Sequence, residues 1–217
     1  MPALVRVLAD AILDSGARSE KELAREFQRQ DPWMYNGPNA TRRFARELAL
    51  LDAAGFGKDI PTALEIGCAE GHFTDLLAPR CRSLLAVDVN RMALERARRR
   101  SSGRSNVEFR RWDLRSDPVL GQFDLVVATS VLEYFKSLGA LRAARAKLVA
   151  SLRPGGLLLV GNVQMAPSIE KAWWARALPR GAHNVNAFVA RHPHLELVEQ
   201  TGGEGYLEVL LVKSIRP

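Results

Sequence analysis

Three carboxylates and a run of small residues fall along this chain at spacings that suit a nucleoside ligand. Leu64-Glu65-Ile66-Gly67-Cys68-Ala69-Glu70-Gly71-His72-Phe73 reads as an apolar strand that turns through small residues into a helix. Gly67, Ala69 and Gly71 allow the main chain to approach a ligand closely, and the turn is expected to aim free N–H groups across the strand ends. A dinucleotide fingerprint would put glycine at 67, 69 and 72. Ala69 and His72 stand there instead, and Glu65 precedes the first glycine, so NAD is not the expected ligand.

Asp88 lies 21 residues beyond Gly67, at the end of a second apolar run. A carboxylate there accepts from both ribose hydroxyls and repels a 2′-phosphate. Trp112-Asp113-Leu114 follows a third run, where a carboxylate can accept from an adenine amino group while an apolar neighbour flanks the ring. Thr129-Ser130-Val131-Leu132-Glu133-Tyr134-Phe135 follows a fourth run. It puts polar groups at the C-terminal edge of the sheet, where such folds hold their reacting centre. An adenosine-containing ligand is the expectation.

These residues need a sheet to position them. Strands are read at 63–66, 84–87, 107–109, 125–128 and 157–160, with helices near 71–79, 90–101 and 138–152. Short apolar runs alternating with helices indicate a parallel sheet covered on both faces. Pro154-Gly155-Gly156 reads as a breaker at a strand entry. Segments 195–199 and 206–212, joined by a glycine-rich turn, read as a hairpin, so the sheet is expected to close antiparallel.

Residues 1–54 read as helical. Leu4, Val7, Leu8, Ala11 and Ile12 mark one helix, Leu23 and Phe27 a second, and Phe44, Leu48 and Leu51 a third; Ser19 and Glu22 form a capping box. The breaker-rich stretch Asp31-Pro32-Trp33-Met34-Tyr35-Asn36-Gly37-Pro38 joins the last two. Trp33 and Tyr35 there either seat the helices on the sheet or form a lid over a ligand.

The composition of the 217 residues, 47% apolar and 25% charged, is that of a globular protein and excludes disordered and collagen-like classes. Cys68 and Cys81 are too few for a disulfide framework, and the run from Leu4 to Leu13 is broken by Arg6 and Asp10, so it is not read as a signal segment. No stretch is long enough for a membrane span, and the expected location is a reducing cytoplasm. The net charge of +7 raises the question of nucleic acid. The cluster Arg91, Arg96, Arg98, Arg99, Arg100 and Arg104 reads instead as a solvated helix face, without the aromatic interleaving of a base-stacking platform.

At these residues the chain resembles the class I S-adenosylmethionine-dependent methyltransferases, over roughly residues 40–217. Their acidic-Gly-x-Gly-x-Gly loop stands here as Glu65-Ile66-Gly67-Cys68-Ala69-Glu70-Gly71, with alanine for the middle glycine. Asp31-Pro32-Trp33, Leu77-Ala78-Pro79 and Phe123-Asp124-Leu125-Val126-Val127-Ala128 narrow the resemblance to the nodulation protein S (NodS) type, N-methyltransferases acting on a glucosamine unit of a chitooligosaccharide. The resemblance implies an α/β fold: a doubly wound, mostly parallel, seven-stranded Rossmann-like sheet with an antiparallel last strand and an N-terminal helical cap. Residues 1–54 would be the extension or lid and residues 55–217 the cofactor-binding domain.

The implied cofactor is S-adenosylmethionine, with S-adenosylhomocysteine as product. Its expected contacts are Glu65, Gly67, Cys68, Ala69 and Gly71 in the first turn, Asp88 and Val89 in the second, and Trp112, Asp113 and Leu114 in the third. Thr129 and the lid residue Trp33 complete the set. Cys68 is read as backbone and bulk, not a nucleophile, Cys81 as core, and His72 as a packing or capping residue. His183, His192 and His194 lack metal-ligand spacing, and no metal is expected. Glu133 and Tyr134 are the candidates for taking a proton from an amine acceptor, with Glu133 as a plain helix-start carboxylate the alternative. Trp173 or Trp174 is expected to line the acceptor pocket or a partner surface. The expected partner is a small-molecule amine, a glucosamine-containing saccharide by the narrower resemblance, and neither nucleic acid nor a membrane. The alternatives are an RNA methyltransferase, although no Asn/Asp-Pro-Pro-aromatic motif follows the fourth strand, and a non-catalytic adenosine-binding or scaffolding module.

Overall fold

The computed structural model describes residues 25–135, 137–165, 181–203 and 205–214. The first expected helix, the Ser19–Glu22 capping box and the pair Trp173 and Trp174 lie outside them. Seven strands form one sheet: β1 (Ile60–Ile66), β2 (Cys81–Asp88), β3 (Val107–Arg111), β4 (Phe123–Thr129), β5 (Leu152–Val163), β6 (Leu195–Gly203) and β7 (Tyr206–Lys213). Their order across the sheet is β3-β2-β1-β4-β5-β7-β6. Strands β1 to β5 pair in parallel. Only β7 runs against the others, antiparallel to both β5 and β6.

Period-two alternation along the central strands builds two cores. Leu64, Ile66, Val126 and Leu158 face one side, where they meet Leu141 and Leu148 of α4 (Leu138–Ala150) and Val185 and Val189 of α5 (Gly181–Ala190). Ala63, Leu125, Leu157 and Leu159 face the other, where they meet Phe44 and Leu51 of α1 (Pro38–Ala53) and Phe73 and Leu77 of α2 (His72–Leu77). Each buried Leu or Phe contributes roughly 1.5–3 kcal/mol, so α1 is held by the same apolar face as the sheet helices. Helix α3 (Arg91–Arg100) packs near β2 and β3, and its start is capped by the Asn90 side chain, which accepts from Ala93 N at 3.0 Å. Ser137 caps α4 in the same way, at 3.1 Å from Ala140 N.

The structure corrects one expectation and adds to the sequence reading at two other points. Pro154-Gly155-Gly156 lies inside β5, not before it: Phe123 pairs with Leu152 but Leu125 with Leu157, so the intervening residues of β5 form a bulge. A Cβ on Gly156 would stand 3.0 to 3.1 Å from the carbonyl oxygens of Arg153, Asp124 and Phe123, which is why glycine occupies it. Helix α5 was not anticipated, although Ala182, Val185 and Val189 carry a helical period. The arginine cluster is solvent-facing as read, with Arg91, Arg98, Arg99 and Arg100 exposed, but several of its side chains also bond back to the body. Arg96 bonds to Glu70, Arg98 to the Phe109 carbonyl, Arg100 to the Glu70 carbonyl and Arg104 to Asp75, because α3 lies close enough for these stems to reach across.

Candidate active site

The turn after β1 curls more tightly than its sequence suggests. Gly67 and Cys68 N–H both donate to the Val87 carbonyl, at 2.8 and 3.0 Å, and Gly71 N–H donates to Cys68 O at 2.9 Å. Ala69 N–H donates to Asp88 Oδ2 at 2.9 Å. The amides of these residues are thus used within the fold, contrary to the expected fan of free donors, because the turn closes against the end of β2. What the turn offers is close approach. Gly67 has φ +75° and a Cβ there would lie 2.6 Å from Val131 Cγ2. Gly71 has φ +78° and would meet Ala97 Cβ at 3.0 Å, so its absent side chain seats α3 and does not border a ligand cavity.

A cavity opens over this turn. Gly67, Ala69, Asp88, Val89, Trp112, Asp113, Leu114, Trp33 and Tyr134, all expected at the site, line it together with Phe27, Tyr35, Ile66, Arg115, Ser130, Val131 and Phe135. Asp88 Oδ1 accepts from Asn90 N at 2.8 Å. With Ala69 N–H on the other oxygen and Val89 N–H also bonded to the carboxylate, Asp88 is held in place by the main chain on the wall of the cavity, where a carboxylate suits ribose hydroxyls. Burial raises the Asp88 pKa against the pull of these main-chain bonds. Asp113 is differently placed, its carboxylate closed upon by the Arg115 guanidinium and main-chain N–H. The Trp112 ring is anchored by Nε1 donating to Pro118 O at 2.9 Å.

Glu65, Cys68 and Thr129 stay behind this wall. Glu65 is buried and its carboxyl is pushed up to about 7 by burial, with the Thr74 hydroxyl opposing and the Asp88 charge adding to the rise. Burial raises the Cys68 thiol well above its ordinary value, which agrees with bulk rather than nucleophilicity. Thr129 sits beside Gly161 at the end of β4.

The loop 31–37 covers the cavity and is pinned at its root. The Asp31 carboxylate accepts from Tyr35 N at 2.6 Å and Asn36 N at 2.9 Å, while Asp31 N–H reaches the Glu70 carboxylate at 3.2 Å. Trp33 stands edge-on to Phe27, ring centroids 6.4 Å apart, and Tyr35 edge-on to Phe44 and His72 at 5.8 and 5.6 Å. Both readings of the loop thus have support, since the aromatics pack on the body and also line the cavity. Asp31, Glu70 and His72 bring ligand-type atoms within 4.8 Å of one another. Arginine already serves two of them: Arg96 Nη1 donates to Glu70 Oε1 at 2.6 Å and Arg100 Nη2 donates to His72 Nε2 at 2.8 Å, so that lone pair is in use.

A second cavity of about 390 Å³ adjoins the first. Trp33, Tyr35, Ser130 and Tyr134 line both, and Glu133, Val163, Met165, Gly181, Val185 and Tyr206 complete the second. Glu133 Oε2 accepts from Val163 N at 3.0 Å, which holds its carboxylate at this cavity and away from the first. Sequence reasoning missed Arg43, Ser130 and Tyr206 as a unit. Ser130 has φ +55°, and its hydroxyl meets Arg43 Nη1 at 3.2 Å and the Tyr206 hydroxyl at 2.9 Å. The buried Arg43 guanidinium lies 4.6 to 5.2 Å from the ring centres of Tyr206, Phe44 and Tyr35. Arg43 occupies the inward face of an amphipathic helix, the one detectable signal, and its partners are far away in the chain.

The sequence of residues 15–217 matches the profile of the family "Nodulation protein S (NodS)". The chain belongs to the NodS family. Nodulation protein S of Rhizobium tropici is 37% identical over 197 residues, 90% of this chain and 79% of that protein. Nodulation protein S of Bradyrhizobium diazoefficiens is 32% identical over 197 residues, 90% of each. The crystal structure of the N-methyltransferase NodS from Bradyrhizobium japonicum WM9 in complex with S-adenosyl-L-homocysteine superimposes with a TM-score of 0.77 at 29% identity, covering 90% of this chain and 98% of that one. This NodS family member shares with that structure the fold that brings the two cavities together.

Proposed function

We propose that this S-adenosylmethionine-dependent methyltransferase transfers a methyl group to the nitrogen of a small amine, with an amino sugar as the acceptor class. The observation that carries this reading is the common wall of Trp33, Tyr35, Ser130 and Tyr134 between a cavity ending at Asp88 and one facing Glu133. Residue types on the first side fit the cofactor: the Asp88 carboxylate for the ribose, and Val89, Trp112 and Leu114 as apolar surface for the adenine. Among the described residues, no helix is long and apolar enough to cross a membrane.

S-adenosylmethionine supplies an electrophilic methyl carbon on a sulfonium. The chain's own part is to align the acceptor lone pair with that carbon, exclude water and remove a proton from the amine. An ammonium must lose its proton before it can react. Glu133 faces the acceptor cavity and is the group assigned to receive it, directly or through a water, with Tyr134 beside it on the common wall. The aromatic residues of the loop exclude water from the passage between the cavities.

The RNA reading is disfavoured by the inward bonding of Arg96, Arg98, Arg100 and Arg104. A scaffolding role gives no account of the acceptor cavity. Incubation with methyl-labelled S-adenosylmethionine and a panel of glucosamine derivatives, simple amines, alcohols and RNA tests the proposal. Label is expected on amine nitrogen. Label confined to oxygen or to RNA would overturn it.

A further inference from the structure

Ser130 and Tyr206 come from the end of β4 and the start of β7, and their hydroxyl oxygens meet at 2.9 Å on the wall of the acceptor cavity. Arg43 fixes how that pair can be used. A guanidinium only donates, so Ser130 Oγ accepts from Arg43 Nη1. Two hydroxyl hydrogens remain for one Ser130–Tyr206 bond. If Ser130 donates to Tyr206, the Tyr206 hydrogen is left over; if Tyr206 donates, the Ser130 hydrogen is. Neither hydroxyl has a further bonded acceptor among the described residues. Either way the pair keeps one hydrogen to give, from a position lining the cavity that Glu133 also faces.

That hydrogen cannot serve the reacting nitrogen. A donor on the amine lone pair would occupy the electrons that form the new N–C bond. On the acceptor molecule it can serve only an atom other than that nitrogen, and one close to it, because Ser130 also borders the cofactor cavity. Arg43 is buried and held among three rings, and Ser130 N–H is tied to Gly161 O at 2.7 Å, so the pair is fixed in place before an acceptor arrives.

We propose that the Ser130–Tyr206 hydroxyl pair, polarised by Arg43, donates to an oxygen on the carbon next to the reacting nitrogen and so restricts acceptors to amines bearing a vicinal oxygen. This rests on the reading that the acceptor is an amine. The amine hydrogens are directed to acceptors such as Glu133, and the vicinal oxygen to the hydroxyl pair. Two attachment points with opposite polarity set the nitrogen's orientation. The neighbouring Arg43 guanidinium offsets part of the rise that burial imposes on the Tyr206 phenol, which makes it a better donor than burial alone would leave it.

Three amines test this: methyl glucosaminide and trans-2-aminocyclohexanol, which carry the vicinal oxygen, and cyclohexylamine, which does not. Affinity is measured by calorimetry with S-adenosylhomocysteine present, and kcat/KM for methyl transfer in parallel. Both oxygen-bearing amines are expected to exceed cyclohexylamine by on the order of tenfold in each measurement. In Tyr206→Phe combined with Ser130→Ala that preference disappears. Equal affinities and equal kcat/KM in the wild-type protein would overturn this inference and leave N-methyl transfer standing, and this comparison needs no variant to fold. Retention of the full preference in a folded double variant, checked by its melting temperature, would also overturn it. Failure to methylate any of the three would sink the amine reading itself, and the inference with it.

Discussion

Arg115 grips Asp113 in a two-pronged pair, Nε to Oδ1 at 2.9 Å and Nη2 to Oδ2 at 2.8 Å, and its main-chain N–H adds a bond to Oδ1 at 2.8 Å. Against burial, which raises it, these bonds hold the Asp113 carboxyl below the usual carboxylate range. A carboxylate so occupied has little capacity left for an adenine amino group, whereas Asp88, among the described residues, is bonded by main-chain N–H groups and not by a guanidinium. Asp88→Ala is therefore expected to weaken S-adenosylhomocysteine binding by about tenfold or more, and Asp113→Ala by distinctly less, in calorimetric titrations. The reverse ranking would mean that Arg115 releases Asp113 when the ligand binds.

Trp33 and Tyr35 of the loop line the cofactor cavity, which measures about 110 Å³. Trp33→Ala should leave the melting temperature nearly unchanged while lowering cofactor affinity and methyl transfer together. A cation–π contact with the sulfonium would account for about 0.5–2 kcal/mol of that loss. S-adenosylmethionine should also slow proteolysis around residues 31–37. Lower thermal stability with unchanged affinity would make Trp33 a structural wedge instead.

Ala69 takes the place of the family's middle glycine and sits at φ +46°, a left-handed conformation that disfavours any residue with a Cβ by about 1–2 kcal/mol. Ala69→Gly relieves that strain but frees the unfolded chain, so a net gain of roughly 0.5–1 kcal/mol is expected. Thermal unfolding would register it as a rise of about 1–4 °C. A fall would show that the buried methyl contributes more by packing than the backbone strain costs.

Glu47 lies fully buried on α1, 3.5 Å from Arg43 Nε, with neither oxygen hydrogen-bonded. Burial pushes its carboxyl up to about 8 from 4.5, and the Arg43 charge only partly opposes this. A group raised in the fold gives its full contribution below the unfolded pKa and loses it as pH climbs to the folded one. Glu47→Gln stays neutral throughout. Wild type and variant should melt alike near pH 4, and the variant should pull ahead as pH rises from about 4.5 to 8, then keep a constant lead. A lead that narrows with rising pH would mean the carboxylate is ionised against Arg43.

Much of the architecture was legible because it is local. The apolar run into Gly67, the 21-residue step to Asp88 and the Trp112-Asp113-Leu114 turn each report a strand end, and strand ends on one edge of a parallel sheet must lie together. The acceptor side was not legible in the same way. Ser130 and Tyr206 are 76 residues apart and meet only because β7 inserts between β5 and β6. Arg43 on a buried helix face looks like a flaw in an apolar stripe until Tyr35, Phe44 and Tyr206 surround it. The arginine run is exposed as read, but charge density in a sequence does not show that several of its stems fold back to bond with the body.

Trp33 and Tyr35 belong to both chambers, so the short stretch that carries them cannot lift from one without uncovering the other. Movement of that stretch is therefore expected to alter access to the cofactor chamber and the acceptor chamber together, so that a single substitution in it changes the apparent affinity for both molecules.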